Sequence, residues 1–382
     1  MRALIVETGH ARGALAAARA LREAGWTVGV GTPDGRGLAS ASRASSKTHR
    51  IPGPAPGFSA FAAAVGSVVD AEGYEVVFGA GDAEVIALSA CRDRIGAMIP
   101  YADHERVMRA VDKLKLAEAA AAAGLLVPQT REATESELER SRAPLIVKAA
   151  VHAPLSSETG PGRLEAVLVE DRAGTARQVA ALRQAGAVPM LQELVAGRLM
   201  ACSLVTDRGG RIVAATAQLA DGCWPPRTGT SARARTIAAD DALFAGIRRL
   251  CEDIGWFGLA QLQFVLSEDD RAWLIDFNGR FYGSLALAVA AGVNLPAIWA
   301  ALATGRPPPE AASPRLGLTY QWLEGDLRRA VSERRGGLFR DLLHTVGQSR
   351  GAVHAIWQPG DARPALRQLG RLPARVAGRA RA

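Results

Sequence analysis

Amide, carboxylate and guanidinium side chains interrupt strand-like sequence at one place in this chain, GLAQLQFVLSEDDRAWLIDFNGRFYGS, from Gly258 to Ser284. Two runs of β-branched, aromatic and aliphatic residues, Leu259 to Leu266 and Ala272 to Phe277, flank the turn residues Ser267 to Arg271, which is the pattern of a β-hairpin. A connection of two residues, Asp269-Asp270, or of four, Glu268 to Arg271, puts Gln263 across from Asp276 and Gln261 across from Asn278. A three-residue loop breaks that pairing. Alternation sends Asp276 and Asn278 to one face and Trp273, Ile275 and Phe277 to the other, toward a core. Oxygen-bearing side chains gathered within roughly 5 to 7 Å suit a hard cation such as Mg²⁺, which takes few protein oxygens and leaves its other positions to water and phosphate. Arg280 follows at a distance that suits a phosphoryl group, and Gly283-Ser284 opens an apolar helix whose free N–H groups favour an anion.

Earlier in the chain, Lys148 ends the apolar run Leu145-Ile146-Val147, so its ammonium leaves a buried strand and needs a compensating charge. The segment after it, HAPLSSETGPG, carries Ser156, Ser157, Gly160 and Gly162, residues small enough for backbone N–H groups to approach phosphate. A glycine, proline and arginine stretch, DGCWPPRTGTSARART, lacks periodicity and reads as a loop, and an arginine's planar fork suits carboxylate and phosphate.

In this order the motifs resemble the ATP-grasp ligases, whose metal hairpin is written as an acid or Gln, a short gap, then Glu-x-Asn-Pro-Arg. Carbamoyl phosphate synthase large chains also begin with Gln, and the departures here are Asp276 for Glu and Gly279 for Pro. The resemblance implies that Gln263, Asp276 and Asn278 bind Mg²⁺ or Mn²⁺, that Lys113 in DKLKL and Lys148 in PLIVKAA contact ATP, and that Ser156 and Ser157 lie in the phosphate loop. It sets Glu193, Leu194 and Val195 of VPMLQELVAG against adenine, it places the arginine loop near the acyl acceptor or carboxylate substrate, so that Arg227, Arg233 and Arg235 become candidates for anion binding, and it makes Arg280, Lys148 and Arg235 the catalytic candidates. Where the family pattern would supply a carboxylate for the ribose, about three residues past Gly197, this chain has Met200. The implied activity is ATP-dependent carboxylate–amine ligation through an acylphosphate, with small-molecule acid and amine substrates. A nucleotide-binding regulatory or scaffolding descendant of such an enzyme is the alternative.

The elements that must position these residues alternate strand and helix from the start: a strand at Arg2 to Glu7, an alanine-rich helix at Ala14 to Ala24 stopped by Gly25, and strands at Trp26 to Gly31 and Glu75 to Gly79. That is a small Rossmann-like α/β unit, although Gly9 and Gly13 do not form GxGxxG. His10, Arg12 and Asp82 fall after strands, where ligands bind in such sheets. The proline- and glycine-rich IPGPAPG at 51–57 marks a long loop. A helix capped by Asp103 runs to Gly124, another runs from Asp240 to Ile254, and Leu285 to Leu302 forms two packed helices. Polar helical pieces follow at Tyr320 to Arg334 and Gly337 to Gly347. With the resemblance, the expected fold class is α/β and α+β: a pre-ATP-grasp α/β domain at 1–102, a two-lobed ATP-grasp domain at 103–310, and a C-terminal helical extension at 311–382 with an arginine-rich tail.

Composition narrows the class. With 48% hydrophobic and 22% charged residues in 382, the chain has a globular character. Four scattered cysteines form no CxxC pair, which points to a reducing cytoplasm rather than a disulfide scaffold or zinc ribbon, and no basic-apolar signal peptide opens the chain. A net charge of +8 invites a nucleic-acid partner, but aromatic residues are only 5% and no RNP, KH or zinc-finger pattern is present. The excess gathers in Arg363, Arg367, Arg371, Arg375 and Arg379, a helical stripe broken by Pro373. No stretch spans a membrane, and a homodimer stays open.

Overall fold

The computed structural model describes residues 1–54, 57–151, 164–238 and 240–370. Its first sheet is parallel, in the order β3-β2-β1-β4, built from β1 (Arg2–Val6), β2 (Thr27–Thr32), β3 (Ser45–Arg50) and β4 (Val76–Gly79). Helices α1 (Arg12–Glu23), α2 (Ser59–Glu72) and α3 (Asp82–Ala90) connect or follow these strands, as the alternating pattern leads one to expect. The apolar run Ala3 to Val6 is buried on both sides, which is the mark of a covered parallel strand.

Next, the single helix expected from Asp103 to Gly124 is broken. Helices α4 (His104–Val111) and α5 (Lys113–Ala122) meet at Asp112, whose backbone is extended and whose side chain accepts hydrogen bonds from the N–H groups of Leu114 and Lys115. An acid that bonds its own downstream amides starts a helix rather than continuing one. As a result Lys113 becomes the first residue of α5.

A second, antiparallel sheet has the order β5-β8-β6-β7. It contains β5 (Thr130–Glu132), β6 (Leu145–Ala149), β7 (Val167–Val169) and β8 (Pro189–Glu193), with α6 (Glu135–Arg140) and α7 (Arg172–Gln184) interspersed in sequence. It has its own small core, in which Leu145 and Val147 of β6 pack with Val179 and Leu182 of α7.

The largest sheet has seven strands, ordered β13-β12-β9-β10-β11-β14-β15. These are β9 (Arg198–Thr206), β10 (Ile212–Trp224), β11 (Thr230–Ile237), β12 (Gly258–Leu266), β13 (Ala272–Asn278), β14 (Thr319–Gln321) and β15 (Val353–His354). The stretch expected as an aperiodic loop is instead a long hairpin: β10 continues to Trp224, Pro225 to Gly229 turn the chain, and β11 returns with a register shift around Gly222. The period-two pattern Ala232-Arg233-Ala234-Arg235 was hidden by arginines, which carry enough apolar stem to sit in a sheet.

Helix α8 (Asp241–Ile254) is capped by the Asp240 carboxylate and ends at Gly255, which takes φ +63°. The apolar region after the hairpin forms α9 (Leu285–Ala290) and α10 (Leu295–Ala303), as expected, and no helix among the described residues is long and apolar enough to cross a membrane. Beyond residue 310 the chain adds β14 and β15 to the largest sheet, with α11 (Leu323–Glu333), α12 (Leu338–Gly347) and α13 (Arg363–Leu369) around them. Tyr320, expected to begin a helix, lies in β14, and α11 starts after Trp322.

Candidate active site

The β12–β13 hairpin sets the register of the site. Gln263 lies opposite Asp276 and Gln261 opposite Asn278, the pairing anticipated from sequence, but the route to it differs. Ser267 and Arg271 close a three-residue loop in which Asp270 takes φ +58°, so Leu266 pairs with Ala272 and Phe264 with Leu274. Between Phe264 and Gln263 the register then shifts by one, leaving Ile275 as a β-bulge that restores the Gln263–Asp276 pair. The bulge also changes which side chains reach the core. Leu274 and Phe277 are buried, whereas Trp273 and Ile275, expected to point inward, are only half-buried, and Trp273 carries the Arg271 guanidinium over its ring at 4.9 Å.

Both sequence-predicted lysines converge on this bulge. Lys148 Nζ donates to the Ile275 carbonyl at 2.9 Å, and Lys113 Nζ sits 3.1 Å from Asp276 Oδ1. The lysines are each 5% exposed and the Asp276 side chain 13%. Burial pushes the Lys148 pKa down to about 7, the Asp276 carboxylate works against that shift, and the Lys113 ammonium adds to it.

Gln261 is buried, and its amide donates at 3.4 Å to Ser203 Oγ on β9 and to Ser284 Oγ at the head of α9. Ser284 therefore ties the hairpin to α9 instead of capping it, and α9 is only six residues long. Gly279, the departure from the family's proline, has a steric reason: a Cβ there would lie 2.3 Å from the buried Trp256 ring.

Arg280, expected to meet phosphate, is paired instead with Asp82 at the start of α3, Nε to Oδ1 at 2.6 Å and Nη2 to Oδ2 at 3.4 Å. Burial opposes its charge most strongly of any single cause, but the Asp82 carboxylate, together with Asp276 and Glu84, raises the arginine's pKa on balance. Beside this pair, Glu84 is buried and burial raises its carboxyl to about 7.

The sequence-predicted adenine residues end the second sheet. Glu193 pairs with Leu145 and is exposed, its N–H donating to the Gln129 carbonyl, while Leu194 and Val195 are half-buried. Gly197 follows with φ +156°, and a Cβ there would sit 2.2 Å from the Leu266 carbonyl oxygen, so the link to the large sheet needs glycine. Met200 is buried between Leu219 and Phe264 and belongs to the core, far from any polar task. Ser156 and Ser157 lie outside the described residues.

Arg235 is not brought to the cleft. Its register partner is Leu219, on the sheet face of Met200 and Phe264, and its guanidinium pairs with Asp221. Arg233 is buried beside Asp326 at 3.8 Å, and Arg227, with φ +68°, is exposed near Glu170.

A cleft of about 480 Å³ opens beside the hairpin. Gln261, Gln263, Asn278 and Arg280 form one wall, and His10, Arg12 and Asp82, the strand-end residues of the first sheet, form another. A third wall was not anticipated: Trp322, Glu324, Arg328 and Gln368 come from the C-terminal elements. Among the described residues no three His, Cys, Asp or Glu side chains converge as a metal cluster. The donor set of the hairpin is one carboxylate with amides, which fits Mg²⁺ only in company with a ligand's own phosphate oxygens.

Comparisons agree with this geometry. A family model described as ATP-grasp in the biosynthetic pathway with Ter operon matches residues 212–326, from β10 into α11. A comparison with curated proteins finds no match. Among solved structures, biotin carboxylase from Campylobacter jejuni aligns with TM-score 0.63 at 15% identity, covering 83% of this chain and 74% of that one. N5-carboxyaminoimidazole synthetase from Staphylococcus aureus gives 0.62 at 13% identity, covering 83% and 80%, and L-amino acid ligase from Bacillus licheniformis gives 0.60 at 14%, covering 83% and 78%. These likenesses establish the fold, and the family match at 212–326 places the resemblance to ATP-grasp ligases on the strands that carry the hairpin.

Proposed function

We propose that the chain is an ATP-dependent carboxylate–amine ligase. The observation that carries this reading is the meeting of Lys113 and Lys148 at Asp276 and Ile275, on a hairpin whose Gln263 and Asn278 face an open cleft. Two ammonium groups buried beside a single carboxylate leave an excess of positive charge, and a polyphosphate would compensate it.

In this reading Lys113 and Lys148 hold ATP phosphate oxygens, while Glu193 and the backbone of Leu194 and Val195 receive the base. Gln263, Asp276 and Asn278 would hold Mg²⁺ or Mn²⁺, which when bound supplies charge neutralisation to the phosphates. The substrate's carboxylate oxygen bonds to the γ-phosphorus as the bond to the bridging oxygen breaks and ADP leaves. The amine nitrogen then bonds to the acyl carbon, phosphate departs with its bonding pair, and the amine loses a proton. Arg280, steadied by Asp82, faces the cleft where the transferred phosphoryl group would sit. Arg235 has no part in this scheme, because it is engaged by Asp221 away from the cleft lining.

The test is an ADP-release screen over acid and amine pairs, with mass detection of the joined product. An amide formed by the wild type and lost in Asp276→Asn supports the ligase. One observation favours a second reading, a nucleotide-binding regulator: Asp276 and Arg280 already have charged partners in Lys113 and Asp82. ATP binding without ADP formation across the panel would select it.

A further inference from the structure

The charged side chains lining the cleft are mostly matched with one another. Arg280 is held by Asp82, and Arg328 Nη2 sits 2.6 Å from Glu324 Oε1. Arg12 differs. Its guanidinium donates to Tyr320 Oη at 3.1 Å and to Thr230 Oγ1 at 3.4 Å, and it stacks 3.8 Å over the Trp322 ring. None of these partners is an acid, and among the described residues no carboxylate lies within ion-pair distance of it.

The contrast with other arginines that tie the C-terminal elements down is informative. Arg19 is closed by Asp361 at 2.8 Å, and Arg329 by Asp326 at 2.7 Å and Asp341 at 2.8 Å. Those are structural cations, neutralised where they stand. Arg12 is instead oriented on several sides by neutral groups, with its charge left over, and it fronts the cleft. A planar fork held by stacking and by hydroxyls loses little freedom when it meets a second fork-shaped anion. Trp322 also covers one face of the guanidinium, so an incoming oxyanion would meet it edge-on.

We propose that Arg12 anchors an oxyanion of the substrate, a carboxylate or a phosphate monoester, on the side of the cleft walled by Thr230, Trp322 and Gly283. A Cβ on Gly283 would come within 2.9 Å of Arg12 Nη2, so the guanidinium lies over the turn that follows Arg280 and lines the same space as the hairpin. The proposal rests on the ligase reading for the word substrate, but the anion site itself stands apart from ATP. The ligase would accordingly take at least one substrate that carries an anionic group when bound at Arg12.

The experiment uses the full chain with two probes, malonate and inorganic phosphate, titrated at constant ionic strength, while ATP binding is followed in parallel by equilibrium dialysis. Wild type is expected to bind at least one probe, and Arg12→Gln to weaken that binding about tenfold or more with ATP affinity unchanged. Response to malonate alone marks a carboxylate ligand, response to phosphate alone a phosphorylated one, and response to both an oxyanion site without selection. If Arg12→Gln fails to fold, Arg12→Lys, which keeps the charge and loses the fork, carries the same comparison. A wild type indifferent to both probes, or equal binding by wild type and variant, overturns the proposal. Anion binding through Arg12 by a chain that does not bind ATP would leave this site standing and remove the ligase.

Discussion

The two ends of the candidate site, the buried lysine–carboxylate cluster behind the hairpin and the wall of the cleft at Arg12, are built on opposite principles. At the hairpin end, Lys113, Lys148 and Asp276 crowd onto the Ile275 bulge, buried, with two lysines to one carboxylate. At the other end, Arg12 reaches Tyr320 across 308 residues and is oriented by hydroxyls and an indole. The first arrangement is dense and intolerant of change, because each buried charge depends on a partner. The second is open on the ligand side, where specificity can vary without disturbing the core.

The largest expected effect breaks the hairpin end. Asp276→Ala should abolish ATP-dependent ADP release, and it should also lower stability by about 3 kcal/mol, because it strands the buried Lys113 ammonium. Turnover and urea unfolding read the two losses separately. Asp276→Asn keeps the shape and isolates the charge. If Asp276→Ala is as stable as wild type, the pair is not buried as described and the contrast between the ends weakens. Lys148→Met should come next: its nucleotide affinity should fall about a hundredfold, while its melting temperature holds or rises, since a methionine of similar length avoids burying an ammonium against a lone carbonyl. A parallel fall in both would mean that Lys148 serves the fold and not a ligand.

The same contrast explains what could be read from the sequence. Strand and helix alternation in the first sheet, the Asp240 and Gly255 caps of α8, and the paired helices after the hairpin arise from local propensity and capping, so they are legible residue by residue. The Gln263–Asp276 register was legible only by accident of compensation: the turn has the odd length that should have spoiled it, and the bulge at Ile275 repairs it. Counting residues along a hairpin cannot see a bulge. The break at Asp112 turns on a carboxylate that caps the helix beginning at Lys113, a role that an acid in mid-helix does not advertise. The third wall, with Trp322, Glu324 and Gln368, had no local signature, because it exists only once β14 joins β11 and α13 folds back on the cleft. Among the arginines, no spacing rule separates Arg12, which has no acid partner, from Arg235, which has Asp221.

An effect on stability alone, read through pH, sharpens the open end. Glu7 lies behind the start of α1, its Oε2 accepting from the Ala11 N–H at 2.9 Å and its buried Oε1 unpartnered. Burial raises its pKa from 4.5 to about 7, opposed by the Ala11 N–H. The folded state therefore holds a proton that the unfolded chain releases, so this contribution is fully present below about pH 4.5 and is lost as pH rises through about 7. Across that interval wild type should lose on the order of 3 kcal/mol through this group. Glu7→Gln keeps an acceptor for Ala11 and removes the titration, so its melting temperature should fall less between pH 4.5 and 7.5. Equal slopes would mean that the Glu7 carboxyl is solvated and that α1 is not held over a buried acid.

The smallest effect returns to the hairpin turn. Asp270 holds φ +58° at the end of the three-residue loop, a conformation an L-residue enters at a cost and glycine enters freely. Asp270→Gly should therefore gain about 0.5 kcal/mol, the relief of the left-handed backbone partly offset by glycine's greater unfolded freedom. Because the turn lies at the far tip and the bulge intervenes before Gln263, nucleotide affinity should not move with it. A change in ATP affinity would show that the turn and the bulge are coupled, so that the dense end of the site extends along the whole hairpin rather than stopping at Ile275.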